Sequence, residues 1–187
     1  MDLMAENDYE KLIPLIANSV FSNRIVSSSA AILAYLSQGR AHAVTSTSGI
    51  DRLAQILEQT FGQKFTRRTS GHADAGGAPV AHHGQIKDAL RILRLDLANR
   101  NQHAKDKVGL LGIGLLIIHP LVDGNGRLAR LVWCRGLLEC GVPPLEVEKG
   151  LTLYYADNGY PAWQASRAAA FGNESTFLAR WRWAFAN

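Results

Sequence analysis

The stretch that most constrains this chain is the apolar run from Val108 to Ile118, which stops abruptly at His119-Pro120. The run is far too short to span a bilayer. It is apolar nearly all round, so it reads as a helix at the centre of a fold, extending from about Asp106 to Ile118. Proline after the histidine forbids simple continuation of that helix. Gly124-Asn125-Gly126 supplies turn residues, and another helix starts near Asn125 and stops at Gly141, with Pro143-Pro144 beyond. At 187 residues, 47% of them apolar and 19% charged, the chain has enough material to cover such a pair within one domain over 1–187. No repeat, low-complexity tract or long linker divides it.

Helical periodicity recurs elsewhere. Ser48 followed by Ile50, Leu53, Ile56 and Leu57, with Gly62 closing, predicts a capped amphipathic helix. Residues 84–99 place Ile86, Leu90, Leu93 and Leu97 on one face. Pro161 opens a further helix, and Asn173 caps a last one carrying Phe177, Trp181 and Phe185. Trp181-Arg182-Trp183 reads as the buried seam of that closing helix. Residues 64–82 break the pattern. Lys64 to His72 is strand-like, Asp74-Ala75-Gly76-Gly77 supplies a turn, and Ala78 to His82 returns, which predicts a hairpin. A polar loop is the alternative, because alternation is poor and Pro79 confines pairing to an edge. The expected fold class is all-α with one short β-hairpin.

A net charge of +4 with an arginine-rich second half suits a phosphate-bearing ligand or an acidic partner. It is too mild for nucleic acid, and no run of like charges supports that reading. Cys134 and Cys140 lie six apart on one expected helix and face different sides, which argues against a disulfide and for a reducing, cytoplasmic setting. Delivery into another cell is the alternative. The acidic start, Met1 to Asp8, does not read as a secretory signal. His72 and His82-His83, with no cysteine nearby, are not expected to bind metal. Arg67-Arg68 reads as a solvated loop or as a contact for an acidic target.

The chemistry is concentrated in His119-Pro120-Leu121-Val122-Asp123-Gly124-Asn125-Gly126-Arg127-Leu128-Ala129-Arg130. Glycines there permit positive φ, so successive backbone N–H groups can converge on an anion. The helix beginning at Asn125 adds its own unpaired N–H groups and partial positive charge. Arg127 and Arg130, three apart, share a face in its first turns, where cations are disfavoured unless an anion such as a polyphosphate offsets the dipole. Asp123 is placed to hold a divalent cation shared with that polyphosphate. His119, just before the cradle, is the residue type most often used as a general base. Singly, each residue has an ordinary account: Asp123 as a helix cap, His119 as a structural cap, either arginine as a surface residue. As one string they converge on phosphate chemistry.

That string resembles the Fic signature, H-x-F-x-[DE]-G-N-G-R-x-x-R. His119, Asp123, Gly124, Asn125, Gly126, Arg127 and Arg130 all match, and Leu121 stands where the family usually has phenylalanine. The resemblance covers roughly 61–181, leaving 1–60 as N-terminal helices without a family motif. It implies a helical bundle whose 64–82 hairpin is a flap that docks a target protein by backbone pairing. It implies a protein adenylyltransferase in which His119 deprotonates a target Tyr, Thr or Ser hydroxyl that attacks the α-phosphate of ATP. Gly124, Asn125 and Gly126 would hold phosphate oxygens, Asp123 would bind Mg2+, and Arg127 and Arg130 would grip the outer phosphates.

Family members with lysine at the position of Gly126 act as kinases, so glycine favours nucleotidyl transfer. Transfer of UMP or phosphocholine, removal of AMP, and a non-catalytic nucleotide- or peptide-binding module are the alternatives. Tyr154-Tyr155 and Trp163 fall where the family places base-pocket aromatics, although core packing accounts for them equally. The inhibitory motif [ST]-x-x-x-E-[GN] has no complete match, which fits control by a separate antitoxin-like protein or truncation of a longer one.

Overall fold

The computed structural model describes residues 8–17, 26–71, 77–78 and 80–186. Among these residues the elements are helices: α1 (Leu12–Ala17), α2 (Ala30–Gln38), α3 (Thr47–Phe61), α4 (Ile86–Asn99), α5 (Ala104–Ile118), α6 (Asn125–Glu139), α7 (Pro144–Tyr154), α8 (Tyr160–Ala170) and α9 (Glu174–Ala186). Short 3-10 turns lie at Ala41–Thr45, His83–Gln85 and Asp157–Gly159.

Among the described helices the α5–α6 pair makes the most extensive contact. α4 and α9 pack against α5, while α1, α2 and α3 cover α6. The close approach follows from glycines in α5. A Cβ at Gly112 would lie 2.0 Å from Nε1 of Trp133, and one at Gly109 would lie 2.8 Å from the Trp181 ring. The two indoles therefore rest directly on helix backbone, with Trp133 Nε1 donating to the Gly109 carbonyl at 3.0 Å. Each interior glycine costs a helix about 1 kcal/mol. Burial of Trp133 and Trp181, joined by Tyr154 and Phe177 in one aromatic cluster, offsets that cost.

α3 is capped by Ser46, whose hydroxyl accepts from Gly49 N–H at 3.1 Å, and not by Ser48; the extended backbone of Ser46 makes it the last residue outside the helix. Gly62 closes α3 in the left-handed conformation. The helix α7 was not anticipated. Pro143-Pro144 ends α6 but also starts α7, because proline is pre-organised for a first helical turn. Asn173 accepts from Thr176 N–H at the start of α9. In that helix Trp181 is buried, whereas Trp183 is 45% exposed with the Arg180 guanidinium over its ring, so only half of the expected seam faces inward. Both thiols are free, Cys134 inside α6 and Cys140 at its end.

The hairpin expected over 64–82 is not among the described elements. Asp74, Ala75 and Gly76 of its turn lie outside the described residues, and so does Pro79. Residues 66–68 pair instead with the loop after α5: Arg67 bridges Leu121 in antiparallel sense, Arg68 N–H donates to Pro120 and Val122 N–H donates to Thr66. The stretch does pair like a strand, but its partner is distant in sequence. Among the described residues no helix is long and apolar enough to cross a membrane.

Candidate active site

The end of α5 and the start of α6 meet in the loop 119–124. His119 is the C-cap of α5, with φ 54° and ψ 58°. A left-handed conformation is uncommon for any residue but glycine and is held only where the surroundings over-determine it. Its N–H still donates to Leu115, and its Nδ1 lies 3.3 Å from the Leu116 carbonyl, leaving the ring partly buried. Leu121, in the place of the family's phenylalanine, is fully buried and anchors the loop. Asn125 closes it: Oδ1 accepts from Leu121 N–H and Nδ2 donates to the Leu121 carbonyl, both at 2.9 Å. Its carboxamide is thus committed to shaping the turn.

Gly124 takes φ 89°, and a Cβ there would sit 2.5 Å from the Phe65 ring. Helix α6 begins directly after it, the first intrahelical bond running from Leu128 N–H to the Gly124 carbonyl. The N–H groups of 125–127 precede that bond and belong to the open end of the helix.

Asp123 faces out from this turn with its side chain 57% exposed. Its carboxylate accepts from Gly124 N–H at 2.6 Å, from Arg127 Nη2 at 3.0 Å and from Gln63 Nε2 at 2.9 Å. Partial burial works to raise its pKa, yet the Gly124 N–H, the Arg127 charge and the Gln63 amide together hold it below the ordinary carboxylate value.

Arg127 and Arg130 are each only 6% exposed. The Arg127 guanidinium carbon lies 4.7 Å from the Phe65 ring centre and 5.9 Å from that of Phe61. Arg130 lies over Gly126, where a Cβ would come within 3.2 Å of its Nη1. It donates through Nε at 3.3 Å and Nη2 at 3.0 Å to the carbonyl of Ile16, near the end of α1. Of the three base-pocket candidates, Tyr155 comes nearest the cradle, with Arg130 6.0 Å from its ring. Tyr154 belongs to the aromatic core, and Trp163 stacks on Tyr160 at the start of α8.

All the residues singled out in the motif are therefore brought to one turn. Several neighbours were not anticipated. Gln63, Phe61 and Phe65 come from the end of α3 and the stretch after it, and no local pattern marks them as partners of a segment some 60 positions on. Arg68 was read as solvated or target-facing. It is 5% exposed, with Nε donating to the His119 carbonyl at 3.0 Å and Nη2 to the carbonyls of Ala81 at 2.5 Å and Ile118 at 3.2 Å. Its neighbour Arg67 does face outward, paired with Asp51 at 2.6 Å. His82 accepts from Gly84 N–H through Nδ1 and lies tilted against His83 with ring centres 4.0 Å apart, while His72 lies outside the described residues. Among the described residues no group of three or more His, Cys, Asp or Glu side chains gathers around a point.

No solved structure matches the chain. A family model does: residues 45–135 match that of the Fic/DOC family. The match reaches back to include α3, runs through the whole His119–Arg130 turn and ends inside α6. By that match and by the motif it contains, residues 45–135 are those of a Fic/DOC-family domain.

Proposed function

We propose that this protein transfers AMP from ATP to a hydroxyl of a target protein, with His119 as general base. The observation that carries the reading is the single turn in which an imidazole, a carboxylate, the open end of α6 and two buried arginines converge.

The residues present fit a polyphosphate. Gly126 has no side chain, which leaves the mouth of the cradle open beside Arg130. The amides of 125–127 would receive phosphate oxygens where charge builds as the hydroxyl attacks. Arg127 and Arg130 would take the outer phosphates as bidentate donors, Arg127 exchanging Asp123 and Arg130 exchanging the Ile16 carbonyl for them. Asp123 fits a magnesium ion, which is commonly held by one or two carboxylates together with substrate phosphates. When bound, magnesium would neutralise charge on the phosphates and the pyrophosphate leaving group. His119 would take the hydroxyl proton as the new phosphorus–oxygen bond forms and the bond to pyrophosphate breaks. The 66–68 stretch, already paired to the motif on one edge, would receive the target segment next to the base. Control by a separate inhibitory protein is part of this reading.

The test is incubation of the protein and of His119→Ala with cell lysate, magnesium and α-labelled ATP. Protein-bound label is expected from the wild type and should fall about 10²- to 10⁴-fold in the variant. Equal labelling, or none from either, would remove His119 from the role of base or the reaction from the protein. Labelled UTP and a phosphocholine donor run beside ATP identify the group transferred. Magnesium-dependent ATP binding without transfer would identify a binding module.

A further inference from the structure

Arg68 joins three segments. Through its backbone it holds Pro120, and through its guanidinium it holds Ile118 and His119 at the end of α5 and Ala81 in the loop before α4. Other arginines do part of this elsewhere. Arg135 donates to the Leu36 and Gly39 carbonyls at the end of α2, and Arg180 to those of Leu153 and Tyr154 at the end of α7. A cation there complements the negative end of the helix dipole. What distinguishes Arg68 is the residue it caps. His119 sits in a left-handed backbone conformation that is uncommon for a residue with a side chain, and its carbonyl is fixed by Arg68 Nε.

The direction in which the imidazole leaves the chain is set by the His119 backbone, so a relaxation of φ and ψ there would swing the ring away from the cradle. We propose that Arg68 is the positioning residue of this site: it locks the turn at His119, and by holding Ala81 with the same guanidinium it ties the 80–82 segment to the base. The inference deepens the reading of His119 as base and rests on it for its kinetic consequence. Arginine is required because its planar fork serves carbonyls from separate segments at once, which the single ammonium of lysine does not reproduce.

The test compares Arg68→Met, Arg68→Lys and, as a remote helix-end control, Arg180→Met. Each is assayed for ATP-dependent transfer and ATP affinity, and for the His119 ring signal in ¹³C-histidine NMR, assigned with His119→Ala. All measurements are made below the unfolding temperature of each variant. Arg68→Met should lower kcat about 10- to 100-fold, as expected for a misplaced catalytic group. Its KM for ATP should stay within about twofold of wild type, because the cradle and both motif arginines are untouched. The His119 signal should move or broaden in Arg68→Met and lie between the two in Arg68→Lys, which should recover part of kcat. Arg180→Met should lose stability while keeping both kcat and the signal.

Wild-type kcat and an unmoved His119 signal in Arg68→Met would overturn the proposal, as would an equal kcat loss in Arg180→Met. If Arg68→Met does not fold, Arg68→Lys decides by the same signal and kcat. If the wild type transfers no AMP, the proposed function fails while the His119 signal still decides whether Arg68 fixes the ring.

Discussion

Gly124 is the position where backbone conformation and packing make separable demands. An alanine there must accept φ 89°, which costs an L-residue about 1–2 kcal/mol. Its Cβ would also lie 2.5 Å from two ring carbons of Phe65. Carbon atoms pack at roughly 3.5–4.0 Å, so the ring must retreat by about 1 Å. Phe65 is buried beneath the Arg127 guanidinium and has little room to do so, and overpacking of this kind costs about 1–3 kcal/mol. Alanine also stiffens the unfolded chain, which returns about 0.4–1 kcal/mol.

Gly141 is the internal control, since it has φ 77° but nothing within 4 Å of its Cβ position. Gly141→Ala carries the backbone cost alone, and the unfolded-state gain is common to both variants. The difference between them is therefore the ring term, about 1–3 kcal/mol. For a chain of this length each kcal/mol shifts Tm by about 2–4 °C. Gly124→Ala should melt about 8 °C below wild type and Gly141→Ala about 2 °C below. Thermal unfolding followed by circular dichroism measures both. Equal shifts in the two variants would refute the claim that Phe65 packs against this turn in the way described.

Other outcomes follow from the same geometry. Asp123 has a folded-state pKa below its unfolded one, so its contribution is present above about pH 4 and is lost as pH falls through the folded value; Asp123→Asn should flatten the acid limb of a Tm-versus-pH curve relative to wild type. Burial pushes the Cys134 thiol up to about 12 and also raises that of the less buried Cys140; at pH 8 a thiol reagent should modify Cys140 slowly and Cys134 only on unfolding, and rapid modification of both would contradict the packing of α6. Arg130 is engaged with the Ile16 carbonyl, so Mg2+-ATP that claims its guanidinium should speed hydrogen exchange in Leu12–Ala17, whereas unchanged exchange would mean that the arginine keeps its α1 contact.

Much of the fold was legible because the signals were local and redundant. The apolar run 108–118 with the proline after His119 set one end of the central loop and Gly124-Asn125-Gly126 the other, and Asn173 marked α9 within a residue. α7 was missed because the same Pro143-Pro144 pair that ends one helix can begin the next. The site divides along similar lines. The motif residues are neighbours in sequence, so their convergence needs only a turn. Gln63, Phe65 and Arg68 reach that turn through strand-like pairing across more than 50 positions, and their spacing follows neither helical nor simple alternating periodicity. Arg67 and Arg68 are adjacent and chemically identical; only the pairing with Leu121 decides which faces solvent and which enters the core.

Arg68, Arg130, Arg135 and Arg180 all direct their guanidinium groups at main-chain oxygens near the ends of helices. Much of the molecule's excess positive charge is therefore internal mortar, less available to counterions than the formal +4 implies. Lysine at any of the four arginines would preserve the formal charge while losing part of the joint, so charge-neutral engineering should leave these four positions alone.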